Sequence, residues 1–175
     1  LKPLGDAFVF DQHARNPRSW KYTEAISNAR ADSPSQRYYG PGGSLQILRV
    51  NGRLGQVETL FSTETGTVRN PDVSPDGTSL MFAWKKSDRG DDYSIYEMDF
   101  ATRNVRQLTD APRQADYEGL YLPDGNILFN STRCVQVVDC NWVEVSNFYL
   151  MTREGRVLRR VGFDQVHTVF PTLAD

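Results

Sequence analysis

The chain has 175 residues, of which 39% are hydrophobic and 24% are charged, proportions typical of one globular domain or of a piece of a larger one. Its 20 basic and 22 acidic residues give a net charge of −2, so there is no basic excess for phosphate contacts and a nucleic-acid partner is not expected. No apolar run approaches the ~18 residues that a membrane helix needs, so membrane insertion is not expected either.

The first predicted strand occupies residues 7–10, and two further apolar runs follow at 45–48 and 56–60. Asn51-Gly52 separates the last two runs and has the backbone freedom that a tight turn requires. The long segment between the first and second runs includes residues 22–31, whose composition is compatible with either a short helix or a loop.

A second group of runs follows the turn sequence Ser74-Pro75-Asp76-Gly77, with predicted strands at 80–84, 95–99 and 105–109. The same turn pattern returns as Leu122-Pro123-Asp124-Gly125 after a shift of 48 residues, with runs at 127–129, 148–151 and 156–159. Residues 173–175 align with the first three residues of this turn pattern. The chain therefore contains an internal repeat.

Each repeat has four short strands in roughly 45–50 residues, which is the signature of a β-propeller blade. We predict an all-β propeller of four-stranded antiparallel blades, about three of them, near residues 1–62, 68–110 and 114–163. Residues 166–175 would begin a further blade. Closed propellers have about 4–8 blades, so remaining blades of the same propeller, another protein, or self-association through open strand edges are the expected partners.

Residues 70–109 resemble the WD-like repeat of the TolB propeller family, with the pattern PDxSPDG, an apolar strand, and IYxMDxxTxxxRQLT. A second resemblance, to the propeller domain of hydrazine synthase alpha subunits, rests on residues 42–45, 131–134 and 145–149. The resemblance implies an exported protein, periplasmic or secreted. Multihaem enzymes need C-x-x-C-H for haem attachment, and this sequence has no such motif, so no cofactor is expected.

We label the four antiparallel strands of a blade A to D in chain order. The A–B and C–D turns then lie at one end of the blade. The B–C loops lie at the other end, together with the D–A crossovers that lead to the next blade. The predicted B–C loops are long, at 13–43, 85–92 and 133–146. Long loops on a rigid scaffold usually carry binding residues, although a solvated insertion explains the same pattern. We therefore predict a pocket at this loop-rich end, with candidate residues Arg15, Tyr38, Tyr39, Lys85, Arg89, Asp116, Arg133 and His167.

Other candidate chemistry is weaker. His13 and His167 could bind a metal with Asp116 or Asp92, but ordinary polar positions explain them better. The carboxylates within residues 88–92 resemble a calcium ligand set but lack EF-hand spacing, which favours a solvated loop. The sequence has no G-x-S-x-G, P-loop or G-x-G-x-x-G in its required context, so no catalytic residue and no metal site is predicted.

Cys134 and Cys140 are the only cysteines, and both fall on the third B–C loop. An exported compartment would permit a disulfide between them, with two free thiols or half of a zinc site as the alternatives.

The predicted function is a non-catalytic scaffold that presents a loop-rich face to a protein or ligand in the periplasm or outside the cell. The alternatives are a structural propeller domain of a larger hydrazine synthase-like oxidoreductase, or of a propeller-bearing hydrolase. The segment contains no catalytic motif that would make it an enzyme on its own.

Overall fold

The computed structural model describes residues 7–15, 39–87, 91–137 and 144–174. These residues form three antiparallel sheets, each of which is one propeller blade. Blade 1 contains β1 (Ala7–Arg15), β2 (Tyr39–Asn51) and β3 (Leu54–Thr63), in the spatial order β1-β2-β3. Strands β1 and β2 are longer than their apolar runs. The loop predicted at 13–43 is therefore shorter in the structure and comprises the residues between Arg15 and Tyr39.

Blade 2 contains β4 (Thr67–Val73), β5 (Ser79–Lys85), β6 (Ser94–Asp99) and β7 (Val105–Gln107), in the spatial order β4-β5-β6-β7. The repeat predicts that the segments near 78–84, 93–100 and 105–109 are antiparallel neighbours in one sheet, with 70–74 innermost. The observed pairing confirms the antiparallel order, with β4 at the edge beside β5.

Blade 3 repeats this arrangement with the order β11-β10-β9-β8, and a single 3-10 turn (Thr132–Cys134) follows its second strand. The strands are β8 (Asp116–Tyr121), β9 (Ile127–Ser131), β10 (Asn147–Met151) and β11 (Val157–Arg160). The all-β propeller architecture predicted from the repeat is therefore the observed fold.

The Pro-Asp-Gly sequences form the A–B turns because the aspartate side chain accepts hydrogen bonds within its own turn. Asp76 Oδ1 accepts from Ser74 Oγ at 2.6 Å and from Thr78 N at 3.1 Å, and these bonds lower the pKa of Asp76 to about 2. Asp124 Oδ1 accepts from Asn126 N at 2.9 Å in the next blade. Both turns lie at the end opposite the B–C loops.

The hydrophobic core lies between the blades, and blade 2 buries one face against blade 1 and the other against blade 3. Leu45 and Ile47 of blade 1 pack with Leu80 and Phe82 of blade 2. The next interface joins blade 2 to blade 3 through a cluster that contains Met81, Ile95, Leu108, Tyr121, Ile127, Phe129, Tyr149 and Met151. Alternate residues of β5 thus face opposite blades, as a strand's two-residue period requires.

The innermost strands share a backbone irregularity that the sequence does not reveal. Asn70 in β4 and Glu118 in β8 have positive φ angles of 54° and 52°, and the pairing register shifts around both residues. Phe170 has the same left-handed conformation, with φ 53°. Asn70 and Glu118 occupy the same place in their repeats, each seven residues before the glycine of the Pro-Asp-Gly turn.

Residues 161–174 do not form a strand, although residues 166–173 were predicted to do so. A strand needs a hydrogen-bonded neighbour, and none of the described strands pairs with this segment. The further blade therefore stays a prediction. The possible helix at 22–31 lies outside the described residues.

Candidate functional site

A cavity of about 460 Å³ lies at the loop-rich end of blade 2. The end of β5, the B–C loop and the start of β6 form one wall, and the D–A crossover forms the other. The lining residues are Trp84, Lys86, Asp91, Asp92, Ser94, Tyr96, Gln107, Asp110, Ala111, Pro112, Arg113 and Gln114. A pocket was predicted at this end, and the lining contains none of those predicted binding residues that the structure describes.

Two aromatic rings form the apolar part of the cavity. The ring centroids of Trp84 and Tyr96 are 5.0 Å apart, and Phe61 of blade 1 supports Trp84 edge-on at 4.9 Å. The Trp84 Nε1 atom is buried and has no hydrogen-bond partner among the described residues. A buried indole N–H normally finds an acceptor, and none of the described residues supplies one here.

Charged side chains surround these rings. The Lys86 ammonium lies 5.6 Å from the Trp84 ring centroid and 5.4 Å from that of Tyr96, which is cation–π distance. Burial raises the pKa of Tyr96, Lys86 lowers it, and the nearby carboxylates of Asp91 and Asp110 raise it. The cavity therefore combines an aromatic surface with carboxylates that attract positive charge.

Asp116 and Arg133, two predicted site residues, form a buried ion pair. Arg133 Nη2 lies 2.6 Å from Asp116 Oδ2, and the Asp116 side chain is fully buried. Burial raises the pKa of Asp116, while the Arg133 charge acts in the opposite direction. The pair joins β8 to the turn after β9, so in this structure its partners are internal.

Lys85 and His167 also contact the protein interior. Lys85 is 3% exposed, and its ammonium lies 5.9 Å from the Tyr93 ring centroid. His167 Nδ1 accepts a hydrogen bond from Ser146 N at 3.2 Å, and burial lowers the pKa of His167. Their role in ligand binding stays a prediction.

Arg15 and Tyr39 are paired with each other where β1 and β2 reach the loop-rich end. Tyr38 and Arg89 lie outside the described residues. The structure thus brings Asp116 and Arg133 into contact, and the role of all eight predicted residues in binding stays untested.

The proposed disulfide also stays a prediction, because Cys140 lies outside the described residues. Cys134 Sγ donates a hydrogen bond to Val145 O at 3.0 Å. Within the described ranges no three His, Cys, Asp or Glu side chains are grouped so that they could bind a metal ion.

The innermost strands carry a second buried ion pair, which sequence reasoning missed. Arg69 Nη2 lies 3.3 Å from Glu118 Oε1, with side chains 5% and 2% exposed. The other oxygen, Glu118 Oε2, accepts from Asn130 Nδ2 at 2.6 Å and from Phe170 N at 2.7 Å. Glu118 therefore attaches residues 161–174 to blade 3.

The cavity residues were also missed, although part of their signal was present. Trp84 and Phe82 are two residues apart in β5, so strand alternation places them on one face. Asp91 and Asp92 belong to the carboxylate group noted in the sequence. Nothing in the sequence shows that Asp110 and Arg113 of the next crossover lie opposite them.

Neither a protein-family profile nor a curated protein sequence matches the chain. Solved structures do match its fold. Hydrazine synthase from Kuenenia stuttgartiensis has a TM-score of 0.57 at 16% identity, over 83% of this chain and 20% of that one.

Two TolB structures also match. The putative TolB from Agrobacterium tumefaciens has a TM-score of 0.49 at 19% identity, over 69% of this chain and 42% of that one. TolB from Acinetobacter baumannii has a TM-score of 0.42 at 21% identity, over 66% and 29% respectively.

At 16% identity, the match to hydrazine synthase shows the fold alone. The chain spans between 20% and 42% of the lengths of these proteins. The fold defines a β-propeller domain. Among the described residues, no helix has the length and apolar character needed to cross a membrane.

Proposed function

We propose that this chain is a non-catalytic β-propeller scaffold whose loop-rich face binds a protein partner or another ligand in the periplasm or outside the cell. The cavity at Trp84 and Tyr96 carries this proposal. It combines the aromatic surface of these two residues with the carboxylates of Asp91, Asp92 and Asp110. Pockets of this kind orient a ligand through a few polar groups beside apolar area.

The chemistry of the cavity favours a positively charged group on the partner, such as a lysine or arginine side chain. Lys86 already places an ammonium over both rings, so the geometry is compatible with a cation. Asp91, Asp92 and Asp110 outnumber Lys86 and Arg113 among the charged side chains that line the cavity, so the cavity would attract such a group. The resemblance to TolB proteins supports the location outside the cytoplasm.

Selection of a phage-displayed random peptide library against the immobilised chain tests the proposal. Enriched peptides should be basic, and Asp110→Asn should weaken their binding about tenfold, since a hydrogen bond to a charged group contributes about 1.5–3 kcal/mol. Asp124→Asn is the matched control, because Asp124 lies in an A–B turn at the opposite end. Peptides that bind equally well to the Asp110 variant, or that lose binding only to the Asp124 variant, would contradict the proposal.

The alternative is a structural propeller domain within a larger hydrazine synthase-like oxidoreductase. The similarity to Kuenenia hydrazine synthase favours it, because that match covers 83% of this chain with a TM-score of 0.57. The gene around this segment discriminates between the two functions. C-x-x-C-H motifs in the same open reading frame, with haem absorbance in the purified protein, would support the oxidoreductase.

A further inference from the structure

The ammonium group of Lys86 lies over both aromatic rings of the cavity. Its Nζ atom is 5.6 Å from the ring centroid of Trp84 and 5.4 Å from that of Tyr96, within the range of cation–π interactions. Burial raises the pKa of Tyr96, and a hydrogen bond with Lys86 acts in the opposite direction, so this ammonium also contacts the Tyr96 hydroxyl. The position that a partner's cation would take is therefore already filled by a side chain of the chain itself.

The two rings are held in place by other aromatic side chains, independently of Lys86. Phe61 meets Trp84 edge-on, with the ring planes at 74°, and Phe82 stacks on Tyr96 with the centroids 6.1 Å apart. Both Phe82 and Tyr96 are buried. The rings therefore form a rigid surface, and a preorganised surface of this kind loses little conformational freedom when a ligand binds.

Lys86 is a displaceable cation, in contrast to its neighbour Lys85. Lys85 is the last residue of β5 and is buried, with its ammonium 5.9 Å from the ring centroid of Tyr93. Lys86 follows the strand and is exposed. A cation–π contact at an exposed site is weak, and the lysine stem is flexible. Lys86 can therefore leave the rings for water without loss of core packing.

The chemistry of the cavity favours arginine as the group that replaces Lys86. A lysine from a partner would only exchange one ammonium for another. A guanidinium is less strongly hydrated than an ammonium, stacks on aromatic faces and donates paired hydrogen bonds to a carboxylate. Asp91 and Asp110 line the cavity together with the two rings, and the charges of both carboxylates act on the Tyr96 hydroxyl. Ring faces and carboxylates are thus close enough to serve one guanidinium.

We propose that Lys86 occupies the cation site of the unliganded chain and that an arginine side chain of the partner binds by displacing it. Lys86 then sets the selectivity of the cavity, because it excludes any cation that binds the rings no better than an ammonium does. The inference rests on the proposed function, since it specifies which group of the partner enters the cavity.

Titration with three short peptides tests the displacement, followed through the NMR signal of the Trp84 indole N–H. Trp84→Phe identifies that signal among the three tryptophans. The peptides are acetylated and amidated Gly-Gly-X-Gly-Gly, in which X is arginine, lysine or citrulline, the neutral analogue of arginine. The arginine peptide should bind most tightly, and the citrulline peptide should leave the signal unchanged.

Two substitutions of Lys86 separate displacement from simple charge repulsion. Lys86→Met removes the competing cation and should strengthen binding of the arginine peptide about two- to fivefold, the equivalent of ~0.5–1 kcal/mol for an exposed cation–π contact. Lys86→Arg is the matched control, because it keeps the charge and places a stronger competitor over the same rings. It should weaken binding of the arginine peptide, whereas charge repulsion alone predicts no change. Near-ultraviolet circular dichroism verifies that each variant is folded.

The outcomes distinguish this inference from the proposed function. Equal binding of the arginine peptide to the unchanged chain and to both Lys86 variants would overturn the displacement and leave the proposed function intact. So would a gain for Lys86→Met without a loss for Lys86→Arg, or a lysine peptide that binds as tightly as the arginine peptide. Failure of both basic peptides to bind any of the three chains, Lys86→Met included, would contradict the proposed function as well.

Discussion

Glu97 on β6 connects blade 2 to blade 3 and gives the sharpest test of how the blades are held together. It is 6% exposed. Its Oε1 accepts from Tyr121 Oη at 2.7 Å and from Arg153 Nε at 3.3 Å, both on blade 3. Its Oε2 accepts from Arg106 Nε at 2.8 Å within its own blade. Glu97→Gln keeps the size of the side chain and removes its charge.

The expected loss in the free energy of unfolding depends on how deeply Glu97 and its arginine partners are buried. Removing one partner of a fully buried ion pair costs about 3–5 kcal/mol. However, the Arg106 and Arg153 side chains are 50% and 36% exposed, so water screens both charges. The contribution of one or two hydrogen bonds to a charged group, about 2 kcal/mol, is therefore the appropriate figure for the glutamine variant. Tyr121→Phe removes one such bond and should cost about 1.5 kcal/mol.

Urea unfolding at a fixed protein concentration measures these losses. The double variant Glu97→Gln with Tyr121→Phe should be less destabilised than the sum of its parts by about 1 kcal/mol, because Tyr121→Phe removes a bond that Glu97→Gln has already weakened by removing the charge. Glu58→Gln is the control, since Glu58 pairs with Arg103 but is 47% exposed, and it should cost less than about 0.5 kcal/mol. Equal losses for Glu58→Gln and Glu97→Gln, or strict additivity in the double variant, would refute the reasoning.

Three further predictions follow from single positions. Gly155→Ala should lower the free energy of unfolding by more than ~2 kcal/mol, measured by urea titration, because φ is +90° and the new Cβ would lie 2.1 Å from a carbonyl oxygen of blade 2. Burial lowers the pKa of His167 below 6.5, so the free energy of unfolding should fall as the pH drops below 6.5, because protonation removes the bond that Ser146 N donates to this side chain. His167→Gln should make the free energy of unfolding less dependent on pH in this range. The predicted disulfide between Cys134 and Cys140 leaves no free thiol, so thiol titration of the unreduced, denatured chain should detect none, and two reactive thiols per chain would rule the bridge out.

The blades were predictable because their signals are local. The Pro-Asp-Gly turn needs only the four residues from Ser74 to Gly77, and its recurrence at 122–125 identifies the repeat without any knowledge of distant contacts. Strand alternation in β5 likewise places Phe82 and Trp84 on one face. These short-range rules account for the observed strand order in blade 2.

The candidate site was only partly predictable, since it depends on which separate segments meet. The argument from strand direction placed a pocket at the loop-rich end, but it could not show which loop residues face it. Asp116 was predicted as a binding residue from its position near the crossover. The structure buries its side chain against Arg133, because an interior carboxylate needs a nearby positive partner, and its role in binding stays a prediction.

The sequence by itself determined the all-β class, the repeat length, the turn positions and the antiparallel order of the strands, because each depends on residues close together in the chain. Tertiary structure alone decided that Trp84 and Asp110 share a cavity, that Glu97 joins two blades, and that Phe170 adopts the left-handed backbone of Asn70. These features arise when sheets pack face to face. Their geometry depends on distances between blades, and a linear pattern contains no information about those distances.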